Sequence, residues 1–138
     1  MDLSLSKLRS ITKTLPPKLQ GHLERVRKVA IQLAERHKID RLKVELGSLG
    51  HDIYRAHDEE YLLSLAKSKG IHISPIEKCL PILLHGPLAA LRIEEDCGIT
   101  DPDVLQAVRW HTTACPGMNK VGLIVFLADK IEPEKLTG

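Results

Sequence analysis

The chain has 138 residues, of which 43% are hydrophobic and 28% are charged, a length that supports one domain with a core of its own. It carries 20 Lys and Arg against 18 Asp and Glu, so the formal net charge is only +2. This balance excludes the basic excess of a dedicated nucleic-acid binder and the acidic excess of a disordered tail. Aromatic residues make up 3%, too few for the stacking platforms of proteins that bind single-stranded nucleic acid. No nucleic-acid partner is therefore expected.

Three cysteines, Cys79, Cys97 and Cys115, show no C-x-x-C spacing. An odd number of isolated cysteines is typical of a protein in a reducing compartment. The first residues show no charged segment followed by an apolar stretch, so no signal peptide is expected. The longest apolar run, residues 122–128, is far too short to span a bilayer. We therefore expect a soluble, cytoplasmic protein without a membrane partner.

In the first half of the chain, apolar residues recur at three- and four-residue steps, a period that predicts helices and no strand. A short helix is predicted over about 4–13, where a following proline pair stops it. A longer helix is predicted over about 18–37. Asp40 and Asp58 are predicted to cap the N-termini of a third and a fourth helix, because a carboxylate there accepts from a free backbone N–H. The fourth helix is expected to end near Gly70.

The second half begins with the clearest start signal, the capping box of Ser74 and Glu77 with proline between them. Further helices are predicted over about 84–97, from Asp101 through His111, and over about 119–131. The last of these carries the longest apolar run and is expected to lie at the centre of the core. The chain is thus predicted to be an all-α bundle in a single domain.

Five segments of these helices each present an imidazole or a carboxylate from an otherwise apolar stretch. The residues are His22, His51, Asp52, His85, His111 and Asp129. A carboxylate buried in such a place is costly unless it is paired or bound to metal. Imidazole nitrogens bind first-row metals, and a carboxylate can bridge two of them. From this pattern alone, the alternative that these are unrelated helix-end residues remains open, while His37, His57 and His72 are expected on the solvated surface.

The order of these residues resembles that of the HD-domain metal-dependent phosphohydrolases, an all-helical superfamily. Three stretches are similar to its YqeK-type branch, the symmetrical bis(5′-nucleosyl)-tetraphosphatases. They are Gly50–Ile53, Leu83–Pro87 with Ala89 and Ala90 after it, and Trp110–Thr113 through Pro116–Met118 to Leu127–Pro133. The resemblance extends from about Leu19 to Pro133, and the later stretches carry most of its specificity.

The resemblance implies a single HD domain over residues 1–138: a bundle of about six to seven helices around a metal site, with residues 1–16 as a short N-terminal helix and linker. It also implies two metal ions. The implied ligands of one ion are His22, His51, Asp52 and Asp129, and those of the second are His85, His111 and the bridging Asp52. Iron is the expected metal, and manganese is the alternative, since it suits the same nitrogen and oxygen ligands.

The activity that the resemblance implies is hydrolysis of diadenosine tetraphosphate to two ADP, in which hydroxide generated at the metal pair attacks phosphorus. The implied catalytic residues are Asp52 and Arg55. The implied substrate-binding residues are Arg55, His85, Thr112, Thr113 and Lys130. A solvated charge remains the alternative for Lys130, and helix C-terminal capping remains the alternative for the two threonines.

Two other functions stay open: a broader HD-type phosphohydrolase acting on nucleoside phosphates, and a nucleotide-binding regulatory module with little turnover. The chain departs from the family's pattern at two places. Around His22 the family usually has an arginine and an aromatic residue before the histidine and a serine or threonine after it, which Lys18–Leu23 lacks. At Arg55 the family commonly has lysine. Family members usually continue beyond Ile131–Pro133, so the family's C-terminal helix is expected to be absent here. A nucleotide is the expected partner, and a homodimer is an alternative to a monomer.

Overall fold

A computed structural model describes residues 3–113 and 115–133. Within these ranges every regular element is helical, which confirms the predicted fold class. The α-helices are α1 (Leu3–Thr12), α2 (Pro17–His37), α3 (Arg41–Gly50), α4 (Glu59–Ser68), α5 (Pro75–Cys79), α6 (His85–Cys97), α7 (Pro102–Arg109) and α8 (Lys120–Ile131). A 3-10 turn, Pro81–Leu84, joins α5 to α6.

The described residues form eight α-helices, one more than the upper end of the expected range. One of them is the five-residue α5, which starts at the predicted capping box and ends before Pro81. A second difference lies at α7, which ends at Arg109, so that Trp110 and His111 lie in the turn beyond the helix. That boundary matters at the site, because the last carbonyl groups of a helix have no intrahelical donor.

Predicted caps set the starts of three helices. The side chains of Asp40 and Asp58 accept from the backbone N–H groups three residues later, at 3.1 and 2.8 Å. In the capping box, the Ser74 hydroxyl accepts from the Glu77 N–H at 3.3 Å, and the Glu77 carboxylate accepts from the Ser74 N–H at 2.9 Å. Gly98 follows α6 in the left-handed conformation with φ of 69°, which glycine readily adopts at a helix C-terminus.

The core consists of two apolar clusters, and α3 contributes to both. One cluster joins α1, α2, α3, α4, α6 and α7 and includes Leu49 and Leu88. The other joins α2, α3, α7 and α8 and includes Val26 and Val125. Because α3 is buried along residues 44–50, its C-terminal end delivers the next residues directly into the interior of the bundle.

The last helix, α8, is apolar on its exposed face as well as on its buried face. Val121 and Val125 face the core, whereas Leu123, Leu127 and Ile131, spaced four residues apart, are 47%, 49% and 42% exposed. The expectation that α8 lies at the centre of the core therefore holds for one face only. No described helix has the length and hydrophobicity needed to cross a bilayer.

Candidate metal centre

Five separate segments deliver their ligand-type side chains to one place in the bundle. His22 comes from α2, His51 and Asp52 directly follow α3, His85 opens α6, His111 follows α7, and Asp129 lies in α8. All are buried except His22, whose side chain is 12% exposed. The structure thus brings together all six residues that the sequence pattern singles out.

One group of four side chains has ligand atoms within 4.8 Å of one another: His22, His51, Asp52 and Asp129. The Nε2 atom of His22 lies 3.0 Å from Oδ1 of Asp129 and 3.4 Å from Oδ2 of Asp52. The Nε2 atom of His51 lies 3.4 Å from Oδ2 of Asp52 and 3.5 Å from Oδ1 of Asp129. We call this group the first half-site.

The second half-site consists of Asp52, His85 and His111, whose ligand atoms also lie within 4.8 Å of one another. The Nε2 atoms of His85 and His111 lie 3.3 and 3.2 Å from Oδ1 of Asp52. Asp52 therefore presents Oδ1 to the second half-site and Oδ2 to the first. This is the arrangement that a carboxylate needs to bridge two cations.

Backbone carbonyl groups fix the orientation of three of the imidazole rings. The Nδ1 atoms of His51, His85 and His111 each contact the carbonyl oxygen three residues earlier, that of Ser48, Ile82 and Val108. A carbonyl oxygen can only accept, so each Nδ1 carries the proton. When it is neutral, each ring directs an Nε2 lone pair at the carboxylates, as metal-ligating histidines do.

The fit of this cluster to a cation can be tested on one buried atom. The Nε2 atom of His51 is fully buried and has no hydrogen-bond partner among the described residues. Its neighbours are the acceptor oxygens of Asp52 and Asp129. Lone pairs that converge in a buried space without donors are costly, and a bound cation relieves that cost. The nitrogen and oxygen donor set suits a divalent first-row metal.

The carboxylates raise the pKa values of the two histidines in the first half-site. Hydrogen bonds with Asp129 and then Asp52 raise the pKa of His22 to about 9. Burial lowers the pKa of His51, but the charge of Asp52 and the nearby Asp129 carboxylate outweigh burial and raise that pKa to about 10. At His111 burial dominates and lowers the pKa, although Asp52 opposes it. In the metal-free protein, protons therefore compete with a metal for the first half-site.

Both carboxylates are held in their ionised form. Burial raises the pKa of Asp52, but the charge of His51 and hydrogen bonds from His111 and His22 bring it well below its ordinary value. Burial likewise raises the pKa of Asp129, but the hydrogen bond from His22 and the nearby His51 ring outweigh it and lower that pKa strongly. The cluster thus offers two negative charges to a cation at neutral pH.

Two exposed residues predicted to contact substrate, Thr112 and Lys130, lie next to residues of the cluster. The Thr112 side chain is exposed and its hydroxyl lies 3.4 Å from Nε2 of His85. Lys130 places Nζ 3.2 Å from Oδ2 of Asp129 and 5.0 Å from the centre of the Phe126 ring. Lys130 therefore already pairs with a residue of the first half-site.

Two further predicted substrate residues, Arg55 and Thr113, are exposed. Arg55 lies in the turn after the His-Asp pair, and its backbone N–H donates to the carbonyl of Asp52 at 2.9 Å. Contact of either side chain with a ligand stays a prediction. The three histidines expected on the surface, His37, His57 and His72, are exposed, which confirms their separation from the cluster.

Sequence reasoning missed one buried residue of the site, Glu132. Its side chain is 2% exposed, and Oε1 lies 3.3 Å from Nδ1 of His22 while Oε2 accepts from Nε of Arg25 at 2.9 Å. The signal available in the sequence was a carboxylate three residues after Asp129, just before Pro133. That signal does not reveal the partner, which lies 110 residues earlier in the chain.

Comparison with known proteins identifies the family. The HD domain matches residues 19–134, which include every residue of both half-sites. The chain belongs to the HD domain family. Because members of this family bind divalent metal, the buried His and Asp cluster is the group that could hold it.

Several bacterial relatives of this HD-domain protein bear the name symmetrical bis(5′-nucleosyl)-tetraphosphatase. The chain is 39% identical to one from Halalkalibacterium halodurans over 114 residues, which is 83% of this chain and 60% of the relative. It is 34% identical to one from Staphylococcus aureus, over 95% of this chain and 68% of the relative. For one from Bacillus subtilis the identity is 31%, over 83% of this chain and 61% of the relative. The HD-domain protein thus spans about 60% of the length of the first of these relatives.

A solved structure has the same fold. It comes from Clostridium acetobutylicum and is described as a predicted HD superfamily hydrolase involved in NAD metabolism. The TM-score is 0.84 at 29% sequence identity, and the match covers 91% of this chain and 68% of the other. The helical arrangement that carries the cluster is therefore one that HD proteins share.

Proposed function

We propose that the protein hydrolyses diadenosine tetraphosphate, or a closely similar dinucleoside tetraphosphate, symmetrically to two nucleoside diphosphates. One water is added across the P–O–P bond between the second and third phosphates, so each half leaves as ADP. The observation that carries this proposal is the placement of Asp52, with one carboxylate oxygen facing each half-site. The names of three relatives from the same family support the choice of substrate.

In this proposal the two half-sites each hold one divalent cation. His22, His51 and Asp129 would hold the first, His85 and His111 would hold the second, and Asp52 would serve both. When bound, such a pair of cations activates water and offsets the charge of the phosphates. We propose iron as the metal, with manganese as the alternative, because imidazole and carboxylate ligands suit both.

The chain's own residues orient the ligands and receive the phosphates. Backbone carbonyls hold three imidazole rings with Nε2 directed inward, so little reorganisation is needed when charge develops. We propose that Arg55 and Thr112 contact the phosphate chain by charge-assisted and hydroxyl hydrogen bonds. Both residues are exposed, Arg55 in the turn that begins at Asp52 and Thr112 next to His85. We propose that Lys130, which pairs with Asp129 in this structure, turns to the phosphate chain when substrate binds. Thr113, which is exposed and follows Thr112, is proposed as a further contact to the phosphates.

The remaining proposals concern where the protein works and what it binds. A cytoplasmic location is supported by the free thiols of Cys79, Cys97 and Cys115, because reducing compartments keep cysteines unpaired. A nucleotide is the proposed partner. Assembly as a homodimer remains a prediction, which a measurement of mass in solution tests.

The direct test of the activity is a product analysis. Metal-loaded protein is incubated with diadenosine tetraphosphate, and the nucleotides are separated by chromatography. We expect ADP as the sole early product, with loss of turnover in Asp52→Asn and retention in Glu45→Gln, a buried carboxylate paired with Arg27 outside the cluster. Equal amounts of AMP and ATP would contradict symmetrical cleavage. Tight binding of the dinucleotide without turnover would favour the regulatory-module alternative, and equal rates on nucleoside triphosphates would favour a broader phosphohydrolase.

A further inference from the structure

We infer that Glu132 is a positioning residue that holds His22 in its metal-facing orientation, and that Arg25 in turn fixes Glu132. The inference rests on the proposed metal site. Its starting point is that α8 and the residue after it contact both nitrogens of one imidazole ring. Asp129 lies 3.0 Å from Nε2 of His22, and Glu132, three residues further on, lies 3.3 Å from Nδ1.

His22 differs from the other clustered histidines in where it sits along its helix. His51 and His111 lie just beyond the ends of α3 and α7, where the last carbonyl groups lack a helical donor and can accept from Nδ1. His22 is the sixth residue of α2. There the carbonyl groups of the preceding turn already accept from N–H groups four residues later. A partner for its Nδ1 must therefore come from another part of the fold.

Glu132 supplies that partner and fixes the tautomer. A carboxylate that accepts from Nδ1–H leaves the lone pair on Nε2, directed at Asp129 and Asp52. It also makes the ring a stronger ligand than a backbone carbonyl would, since the negative charge increases the basicity of the imidazole. Among the described residues, Nδ1 of His22 contacts a carboxylate, whereas Nδ1 of the other three clustered histidines contacts a backbone carbonyl.

Arg25 supplies the counter-charge that the buried carboxylate of Glu132 needs. The Glu132 side chain is 2% exposed, and a buried carboxylate without a counter-charge is costly. The Nε of Arg25 donates to Oε2 of Glu132 at 2.9 Å. Arg25 follows His22 by three residues on α2, so both groups that contact Glu132 project from the same side of that helix.

The experiment compares metal affinity in three forms of the full chain: wild type, Glu132→Gln and Glu45→Gln. Glutamine has the shape of glutamate but only one side-chain oxygen, whereas His22 and Arg25 contact different oxygens of Glu132. Glu45→Gln is the matched control, because Glu45 is also a buried carboxylate paired with an arginine of α2, Arg27, at 2.7 Å. Each metal-stripped form is titrated with Mn²⁺ against a competing chelator.

We expect Glu132→Gln to bind one of two Mn²⁺ equivalents about 10- to 100-fold more weakly than wild type, the usual cost of losing a partner behind a metal ligand. Glu45→Gln should bind both equivalents as wild type does, even if both variants lose similar free energy of unfolding. Equal Mn²⁺ affinity in Glu132→Gln and wild type would overturn the inference. Wild type without any Mn²⁺ binding would overturn the metal site itself, whereas full binding without ADP formation would overturn only the proposed activity.

A double-mutant cycle separates action through His22 from a general stabilising role. In a His22→Ala background, Glu132→Gln should cause no further loss of Mn²⁺ affinity, because the ring that Glu132 orients is gone. The same fold-loss in both backgrounds would show that Glu132 acts by another route and would overturn the assignment. Circular dichroism of each form establishes that it is folded. If Glu132→Gln does not fold, Arg25→Gln, which leaves Glu132 itself in place, is carried through the same cycle with the same expected results.

Discussion

The Nε2 atoms of His85 and His111 lie 2.9 Å apart, and each ring donates its Nδ1–H to a backbone carbonyl. In two neutral rings, both facing Nε2 atoms are acceptors. Such a contact is repulsive unless a positive charge lies between them, either a proton or a cation. With Oδ1 of Asp52 within 3.3 Å of both nitrogens, the three atoms are close enough together to bind one cation.

Asp52 is predicted to be the residue on which both half-sites depend. Substitution by asparagine leaves one oxygen and removes the negative charge, so Asp52→Asn should weaken the binding of both ions together. The measurement is elemental analysis of purified Asp52→Asn beside wild type.

A control for this change is Asp103→Asn, since Asp103 pairs with Lys43 at 3.1 Å outside the cluster. The control should retain the wild-type metal content. If Asp52→Asn also kept two ions per chain, Asp52 could not be the bridge.

Gly86 is predicted to set the distance between His85 and His111. A Cβ at this position would lie 2.6 Å from the backbone oxygen of Arg109, so α6 would have to move away from the end of α7. Gly86→Ala should lower the free energy of unfolding by about 1–3 kcal/mol and weaken metal binding at the second half-site. Urea unfolding and Mn²⁺ titration measure the two effects.

The matched control for Gly86 is Gly70→Ala. Gly70 has a φ of +71°, and a Cβ added there would meet no atom within 4 Å, so alanine causes backbone strain without a steric clash. It should lower stability and leave metal affinity unchanged. Equal metal affinity in Gly86→Ala and wild type would show that the close approach at Gly86 serves packing alone.

The metal-free protein is predicted to lose stability as the pH rises above neutrality. The pKa of His22 is raised from 6.5 to about 9, so its contribution is fully present below pH 6.5 and is lost as the pH rises through 9. His51, with a pKa raised to about 10, acts in the same direction. Urea unfolding of chelator-treated protein should give a lower free energy at pH 9 than at pH 6.

At acid pH the stability is predicted to change in the opposite direction, falling as the pH falls. The lowered pKa values of Asp52 and Asp129 contribute stability that is present above their ordinary value of 3.8 and is lost as the pH falls. Asp129→Asn should reduce the loss of unfolding free energy between pH 6 and 9, because the hydrogen bond with Asp129 is the largest cause of the raised pKa of His22. A stability that rises between pH 6 and 9 in the metal-free wild type is incompatible with this account.

Arg55 is predicted to act on the phosphates and not on the metals. Arg55→Gln should lower kcat/KM for diadenosine tetraphosphate roughly tenfold, as expected for loss of one charge-assisted contact, with metal content unchanged. Arg41→Gln is the control, because Arg41 is an exposed arginine at the opposite end of α3. Loss of metal from Arg55→Gln, or an unchanged kcat/KM, would refute this role.

The sequence was sufficient to predict those features that depend on neighbouring residues. The caps at Asp40, Asp58 and Ser74 are local hydrogen bonds within three residues, and they form as predicted. The predicted end of α7 at His111 is wrong, because apolar periodicity continues to Trp110 whereas the helix stops at Arg109.

Features that depend on distant residues could not be derived from the pattern. The pattern singles out the six clustered side chains one by one, as polar residues in apolar stretches. The bridging position of Asp52 is an expectation from the family resemblance, and the direction of its two carboxylate oxygens depends on how the helices pack. The contact between Glu132 and His22 spans 110 residues. No local signal indicates that Gly86 lies against the backbone of Arg109.

The measurement that tests the central claim most directly is a metal titration of activity. Chelator-stripped protein receives increasing Mn²⁺ or Fe²⁺, and ADP formation from diadenosine tetraphosphate is followed at each ratio of metal to chain. We predict no ADP without metal and full activity once both half-sites around Asp52 are filled, at two equivalents. Full turnover by the stripped protein, or no turnover at saturating metal, would contradict the claim that this cluster is a two-metal phosphohydrolase site.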